Sequence, residues 1–133
     1  MTPDRRQGIP DRRVALRVPA VFAVKSFLRG RVQLGQAEDL GVGGMTLRRL
    51  PDVPAAPGVP ISLTFALPVA GYDAPLLRVQ GVVVSDKLDG TFRRTGVRFA
   101  GLASETAETL KRFCSGQSES IGYERNAALT ANG

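Results

Sequence analysis

The sequence predicts an all-β domain, a small antiparallel barrel or sandwich closed by one C-terminal α-helix. Short runs that alternate apolar and polar residues recur from Val18 to Phe99, each bounded by glycine, proline or Asp-Gly. Prolines at 51, 54, 57 and 60 interrupt the middle of the chain, where no helix survives them. A single amphipathic helical pattern follows the last strand run.

The elements follow in order. Val21-Phe22-Ala23-Val24 is a β-rich run, and Arg31-Val32-Gln33-Leu34 alternates after a turn at Gly30. Met45-Thr46-Leu47 follows a cluster of glycines, and Ile61-Ser62-Leu63-Thr64-Phe65 alternates cleanly. Leu77 to Val84 is the strongest strand signal; Asp89-Gly90 predicts a hairpin turn, and Phe92 to Phe99 returns with Val97 and Phe99 on one face. The phenylalanines, sitting in these apolar patterns, read as core. For the helix, Ser104 is the expected N-cap, with Glu105 and Glu108 near the first turn and Lys111 and Arg112 in the last. Ala107, Leu110, Phe113 and Cys114 form its apolar stripe, and Gly116 is placed to end it. Cys114 on that stripe reads as a packing residue.

The 133 residues suit one domain with a core of its own. Residues 1–17, polar and Arg-rich, are expected to form a flexible arm; 18–115 the barrel with its helix; 116–133 a disordered polar tail. No apolar run is long enough to span a bilayer, no h-region follows Met1, and the single cysteine suits a reducing compartment, so the expectation is a cytoplasmic protein without membrane association.

Composition narrows the chemistry. Histidine is absent and there is one thiol, which makes a metal site, a redox site or an enzyme improbable, and no cofactor is expected. The net charge is +6, carried mostly by arginine, whose planar fork grips phosphate and the guanine edge bidentately. An anionic partner is expected. Specific nucleic-acid binding is not, because small barrels that hold single strands rely on aromatic platforms and tryptophan is absent.

Two clusters concentrate this chemistry. Arg12, Arg13 and Arg17 stand one strand-turn-strand ahead of Asp39-Leu40-Gly41-Val42-Gly43-Gly44. An ionised Asp39 accepts the two adjacent N–H donors of guanine's Watson–Crick edge, where adenine presents an acceptor that it repels. An arginine fork matches the opposite O6/N7 edge, and further arginines suit phosphate. Gly41, Gly43 and Gly44 permit left-handed backbone angles and close approach of a ligand. Two or three charge-assisted bonds at about 1.5–3 kcal/mol each, less the cost of ordering the arm, make micromolar affinity reasonable, about −8 kcal/mol.

Arg12-Arg13-x-x-x-Arg17-Val18-Pro19 followed by Asp39-x-Gly41-x-x-Gly44 resembles the PilZ domain, the bacterial cyclic di-GMP receptor module, whose pattern is RRxxxR and then [D/N]xSxxG. The resemblance runs from about Asp11 to Ser115 and includes Gly96-Val97-Arg98-Phe99, similar to the family's closing strand. It implies a six-stranded antiparallel β-barrel with a C-terminal helix, and cyclic di-GMP as the ligand. It implies too that Arg12, Arg13 and Arg17 contact phosphates and the guanine O6/N7 edge, that Asp39 takes the N1/N2 edge, and that Gly44 lets the backbone turn beneath the ligand. Gly41 stands where the family usually has serine, so one ligand-facing hydroxyl is missing, a loss of about 0.5–1.5 kcal/mol. The expected function is a receptor in which ligand orders the arm and a partner protein reads the altered surface. The alternative is an adapter that has lost nucleotide binding.

Overall fold

The structure, a computed structural model, describes residues 17–67 and 76–116; the expected arm up to residue 16, Arg12 and Arg13 included, and the expected tail from 117 lie outside them. Six strands, β1 (Arg17–Leu28), β2 (Arg31–Gly41), β3 (Gly44–Arg49), β4 (Pro60–Ala66), β5 (Leu76–Asp89) and β6 (Phe92–Ala100), form a closed antiparallel barrel in the order β1-β2-β3-β6-β5-β4. Helix α1 spans 104–116. Pairing of β1 with β4 as well as β2 decides between sandwich and barrel, and closure gives every strand a neighbour on both sides.

Every expected strand is present, and most are longer than the apolar runs that announced them. In β1 burial alternates without a break, placing Val18, Ala20, Phe22, Val24, Ser26 and Leu28 inside. Two of these, Ala20 and Ser26, are weak apolar markers, while Val21 and Phe27 on the outer face are 65% and 50% exposed. Ser26 is tolerated inside because its hydroxyl donates to the Gln33 carbonyl at 3.4 Å. The phenylalanines therefore divide. Phe22 and Phe65 stack in the core with ring centroids 5.3 Å apart, and Phe99 joins them there. Phe27 lies on the outside, as does Phe92, whose ring sits 4.1 Å from the Arg48 guanidinium carbon.

The β1–β2 turn is Arg29-Gly30, both in the left-handed region (φ 51° and 77°). The β5–β6 turn falls on Gly90-Thr91, one residue later than expected, because Asp89 still pairs with Phe92 and Gly90 (φ 68°) supplies the first central position. The proline-rich segment between β3 and β4 is packed on the barrel, with Val53 and Ala55 buried and Gly58 donating to the Val83 carbonyl at 2.7 Å.

A charged network closes the barrel at the ends of β3 and β5. Met45, Leu47 and Arg49 share the inward face of β3, so Arg49 enters the barrel with its side chain fully buried. Its guanidinium donates to Thr95 Oγ1 (2.9 Å), Gln33 Oε1 (2.9 Å), the Val53 carbonyl (2.8 Å) and Asp86 Oδ1 (3.0 Å). Asp86 accepts in addition from Thr95 Oγ1 (2.6 Å), the Ala55 amide (3.1 Å) and Arg93 (3.0 Å). Burial acts to raise the Asp86 pKa. Hydrogen bonds from Thr95, Ala55 and Arg49, with the Arg49 charge, prevail and hold it below the ordinary aspartate value.

Helix α1 seals the other end. Ala103, not Ser104, is the N-cap, since its carbonyl accepts the first helical bond, from the Ala107 amide at 2.9 Å. Leu110 and Cys114 are buried in the core with Phe113 packed against it, as the stripe predicts. Burying Leu110 alone contributes about 1.5–3 kcal/mol. The Cys114 thiol donates to the Leu40 carbonyl at 3.5 Å, and burial pushes its pKa up, which fits packing rather than reactivity. No described helix is long and apolar enough to cross a membrane.

Candidate ligand-binding site

Asp39 reaches the outer wall through an irregularity in β2. Strict alternation from inward Ala37 would turn Glu38 out and Asp39 in. The β2–β3 register pairs Ala37 with Leu47 and Asp39 with Thr46, leaving Glu38 as an extra residue. This bulge resets the alternation, so that Glu38 and Asp39 are both part-exposed and Leu40 returns to the core.

Arg17 opens β1 opposite Gly41, which brings its guanidinium across to Asp39. Its Nη1 donates to Asp39 Oδ1 at 2.9 Å and to Thr46 Oγ1 at 3.2 Å. The Thr46 amide donates to the same Oδ1 at 3.0 Å. The two charged side chains are each about one-third exposed (35% and 33%), so this pair adds little to stability, about 0–1 kcal/mol, and is open to an arriving ligand.

The glycines serve this patch differently from expectation. None of Gly41, Gly43 and Gly44 adopts a left-handed backbone. Gly44 is required by crowding: a Cβ there would lie 2.1 Å from the Val97 carbonyl oxygen and 3.2 Å from Arg17 Nη2. It therefore lets β3 approach β6 and leaves room for the Arg17 guanidinium beside the strand. Gly43 has open space at its Cβ, and its carbonyl accepts from the Phe99 amide at 2.8 Å. Gly41 is a buried strand residue.

The structure thus gathers Arg17, Asp39, Gly41 and Gly44 at one end of the barrel. It adds two residues that sequence reasoning did not single out. Thr46 faces Asp39 across the ladder, a position visible only once the bulge is known. Arg98 stands opposite Gly44 on β6 and is exposed, and its outward direction follows from Val97 and Phe99 pointing in. Further along the wall Glu38 accepts from Arg94 (2.9 and 3.2 Å) and Arg48 (3.1 Å), and Arg94 also pairs with Asp89. The hydrogen bonds from Arg94 lead in holding the Glu38 carboxyl below its usual range, and the same bonds raise Arg94.

Among the described residues no cluster of histidine, cysteine or carboxylates could hold a metal ion. The part-exposed pair of Arg17 and Asp39 sets N–H donors beside a carboxylate acceptor on the outer wall of a closed barrel. The PilZ domain family model matches residues 11–116, and the chain belongs to that family of cyclic di-GMP receptor and adapter modules.

Solved structures agree on the fold. The chain is similar to the Bacillus subtilis inhibitor of motility MotI/DgrA (TM-score 0.72, 16% identity, covering 80% of this chain and 51% of that one). It is similar to the PilZ domain of Escherichia coli YcgR with c-di-GMP (TM-score 0.65, 17% identity, 86% and 98% covered). It is similar as well to the PilZ domain of CeSA from a cellulose-synthesizing bacterium (TM-score 0.59, 15% identity, 78% and 99% covered). The chain spans about half the length of the Bacillus protein. No curated protein sequence matches it significantly.

Proposed function

We propose that this chain is a cytoplasmic cyclic di-GMP receptor and adapter, not an enzyme. The observation that carries the proposal is the convergence of Arg17, Asp39 and Thr46 on the outer wall over Gly44. Asp39 takes the guanine N1–H and N2–H, and Arg17 moves from the carboxylate to the O6/N7 edge or a phosphate. Arg12 and Arg13 bring further guanidiniums from the preceding segment, and binding orders that segment into a surface that a partner protein reads.

Thr46 bears on the defect at Gly41. Its hydroxyl lies beside Asp39 within reach of Arg17, and it offers from β3 the group that serine would have offered from β2. With the charged contacts retained, affinity stays near micromolar, about −8 kcal/mol. Calorimetric titration of the full chain with cyclic di-GMP tests this, beside an Arg12→Ala/Arg13→Ala double variant. Binding in the parent and its loss in the double variant are expected; unchanged binding in the double variant removes the arm from the site.

One observation favours a second reading, an adapter that holds no nucleotide. Gly41 lacks the hydroxyl, and Arg17 already occupies Asp39. An absence of both heat and thermal shift at high ligand excess selects that reading.

A further inference from the structure

At the far end of β1 and β2, roughly 35–40 Å of strand away from Arg17 at about 3.3 Å per residue, the hairpin turn carries an unexplained cost. A two-residue turn with both residues left-handed is the type I′ turn, which favours Asn-Gly or Asp-Gly. Here the first position is Arg29 at φ 51°. A long side chain in that conformation is uncommon, and such outliers gather at binding sites.

Arg29 lines an open-sided cavity of about 670 Å³, within the volume range of small-molecule sites. Arg31 and Arg93 line the same cavity. Arg31 is paired with Asp52 at 3.2 Å and Arg93 with Asp86 at 3.0 Å, while Arg29 is in no ion pair among the described residues. Three guanidiniums and two carboxylates line the cavity, an excess of one positive charge, and the buried Arg49 stands behind Asp86. Asp86 is shared between Arg93 and the buried Arg49, so one carboxylate serves two guanidiniums and Arg93 is half compensated. The rest of the wall is the chain from Val53 to Ala56, where Val53 and Ala55 turn into the core and Pro54 and Ala56 are exposed.

We propose that this cavity is a second ligand site, which takes a phosphate monoester with a small apolar body. Three rim guanidiniums match the three terminal oxygens and double charge of such a phosphate, whereas a planar carboxylate has two oxygens and one charge. Pro54 and Ala56 receive the body. The strained Arg29 is then retained for the ligand at the expense of the turn.

Phenyl phosphate serves as the probe, followed by amide NMR shifts and thermal melting of the full chain, with inorganic phosphate, benzoate and sodium chloride at equal ionic strength as separate arms. Saturable shifts are expected at Arg29–Arg31 and Val53–Ala56. Inorganic phosphate is expected to perturb the same residues more weakly, benzoate more weakly still, and sodium chloride not at all. Arg29→Asn suits the turn, so its melting midpoint rises by several degrees while phenyl phosphate affinity falls at least tenfold. Arg31→Ala weakens the probe as well, and cyclic di-GMP affinity is unchanged in Arg29→Asn. Undiminished probe binding in Arg29→Asn overturns the proposal, and so do shifts confined to Arg17, Asp39 and Thr46, or equal shifts with sodium chloride. Equal affinity for inorganic phosphate overturns the apolar-body assignment.

Discussion

Asp39→Ala separates binding from folding at the centre of the patch. On the stability side it removes a part-exposed ion pair, worth about 0–1 kcal/mol, and the acceptor for the Thr46 amide, which is half-buried and within reach of water. The total is about 1–2 kcal/mol at most, against the 5–15 kcal/mol typical of a domain, so the barrel stays folded. On the binding side it removes two charge-assisted hydrogen bonds to guanine, about 3–6 kcal/mol together, offset by about 1 kcal/mol because Arg17 no longer has to leave a carboxylate. The net loss is at least about 2 kcal/mol, or roughly 30-fold in Kd. Calorimetric titration with cyclic di-GMP reads the affinity, and a thermal melt of the same sample reads the fold. A folded Asp39→Ala that binds within threefold of the parent would refute the guanine-edge role.

Gly44→Ala forces β3 away from β6, since its Cβ meets the Val97 carbonyl at 2.1 Å; a loss of about 1–3 kcal/mol in urea unfolding is expected, with weakened nucleotide binding from a displaced Arg17, and parent-like values for both would sink the crowding account. Arg49→Met leaves Asp86 buried with one arginine fewer and should cost about 3–5 kcal/mol; a neutral or stabilising effect would mean that the network is replaceable by apolar packing. Acid should act through Asp86. Its folded pKa is lowered, so its contribution is fully present above the unfolded value near 3.9 and is lost as pH falls through the folded value. Urea midpoints between pH 7 and 2 should therefore fall less steeply in Asp86→Asn than in the parent; parallel slopes would assign the acid sensitivity elsewhere.

Much of the architecture was legible in the sequence because period-two alternation survives wherever one face is buried. Leu77 to Val84 and Phe92 to Phe99 announced themselves, and the stripe of Leu110, Phe113 and Cys114 predicted which face of α1 is buried. β1 was shortened because its inner face includes Ala20 and Ser26 while Val21 and Phe27 point outward, which inverts the usual polarity cue. Arg49 was missed because a charge reads as surface, although its spacing from Met45 and Leu47 places it inside.

At the site, the pairing of Arg17 with Asp39 was legible as chemistry, two groups whose complementary charges suit one ligand. What escaped were facts of register. Thr46 meets Asp39 only because Glu38 bulges, and Gly44 has no left-handed φ but is needed for strand approach. Sequence spacing carries neither a bulge nor an interstrand distance.

Guanine selectivity is the central claim, and paired calorimetric titrations test it most directly. The full chain is titrated with cyclic di-GMP and, under identical conditions, with cyclic di-AMP, whose phosphates are the same and whose base edge presents an acceptor to Asp39. The expected result is near-micromolar binding of the first and none of the second. Equal affinity for both would reduce the patch to a phosphate-binding surface and contradict the role given to Asp39.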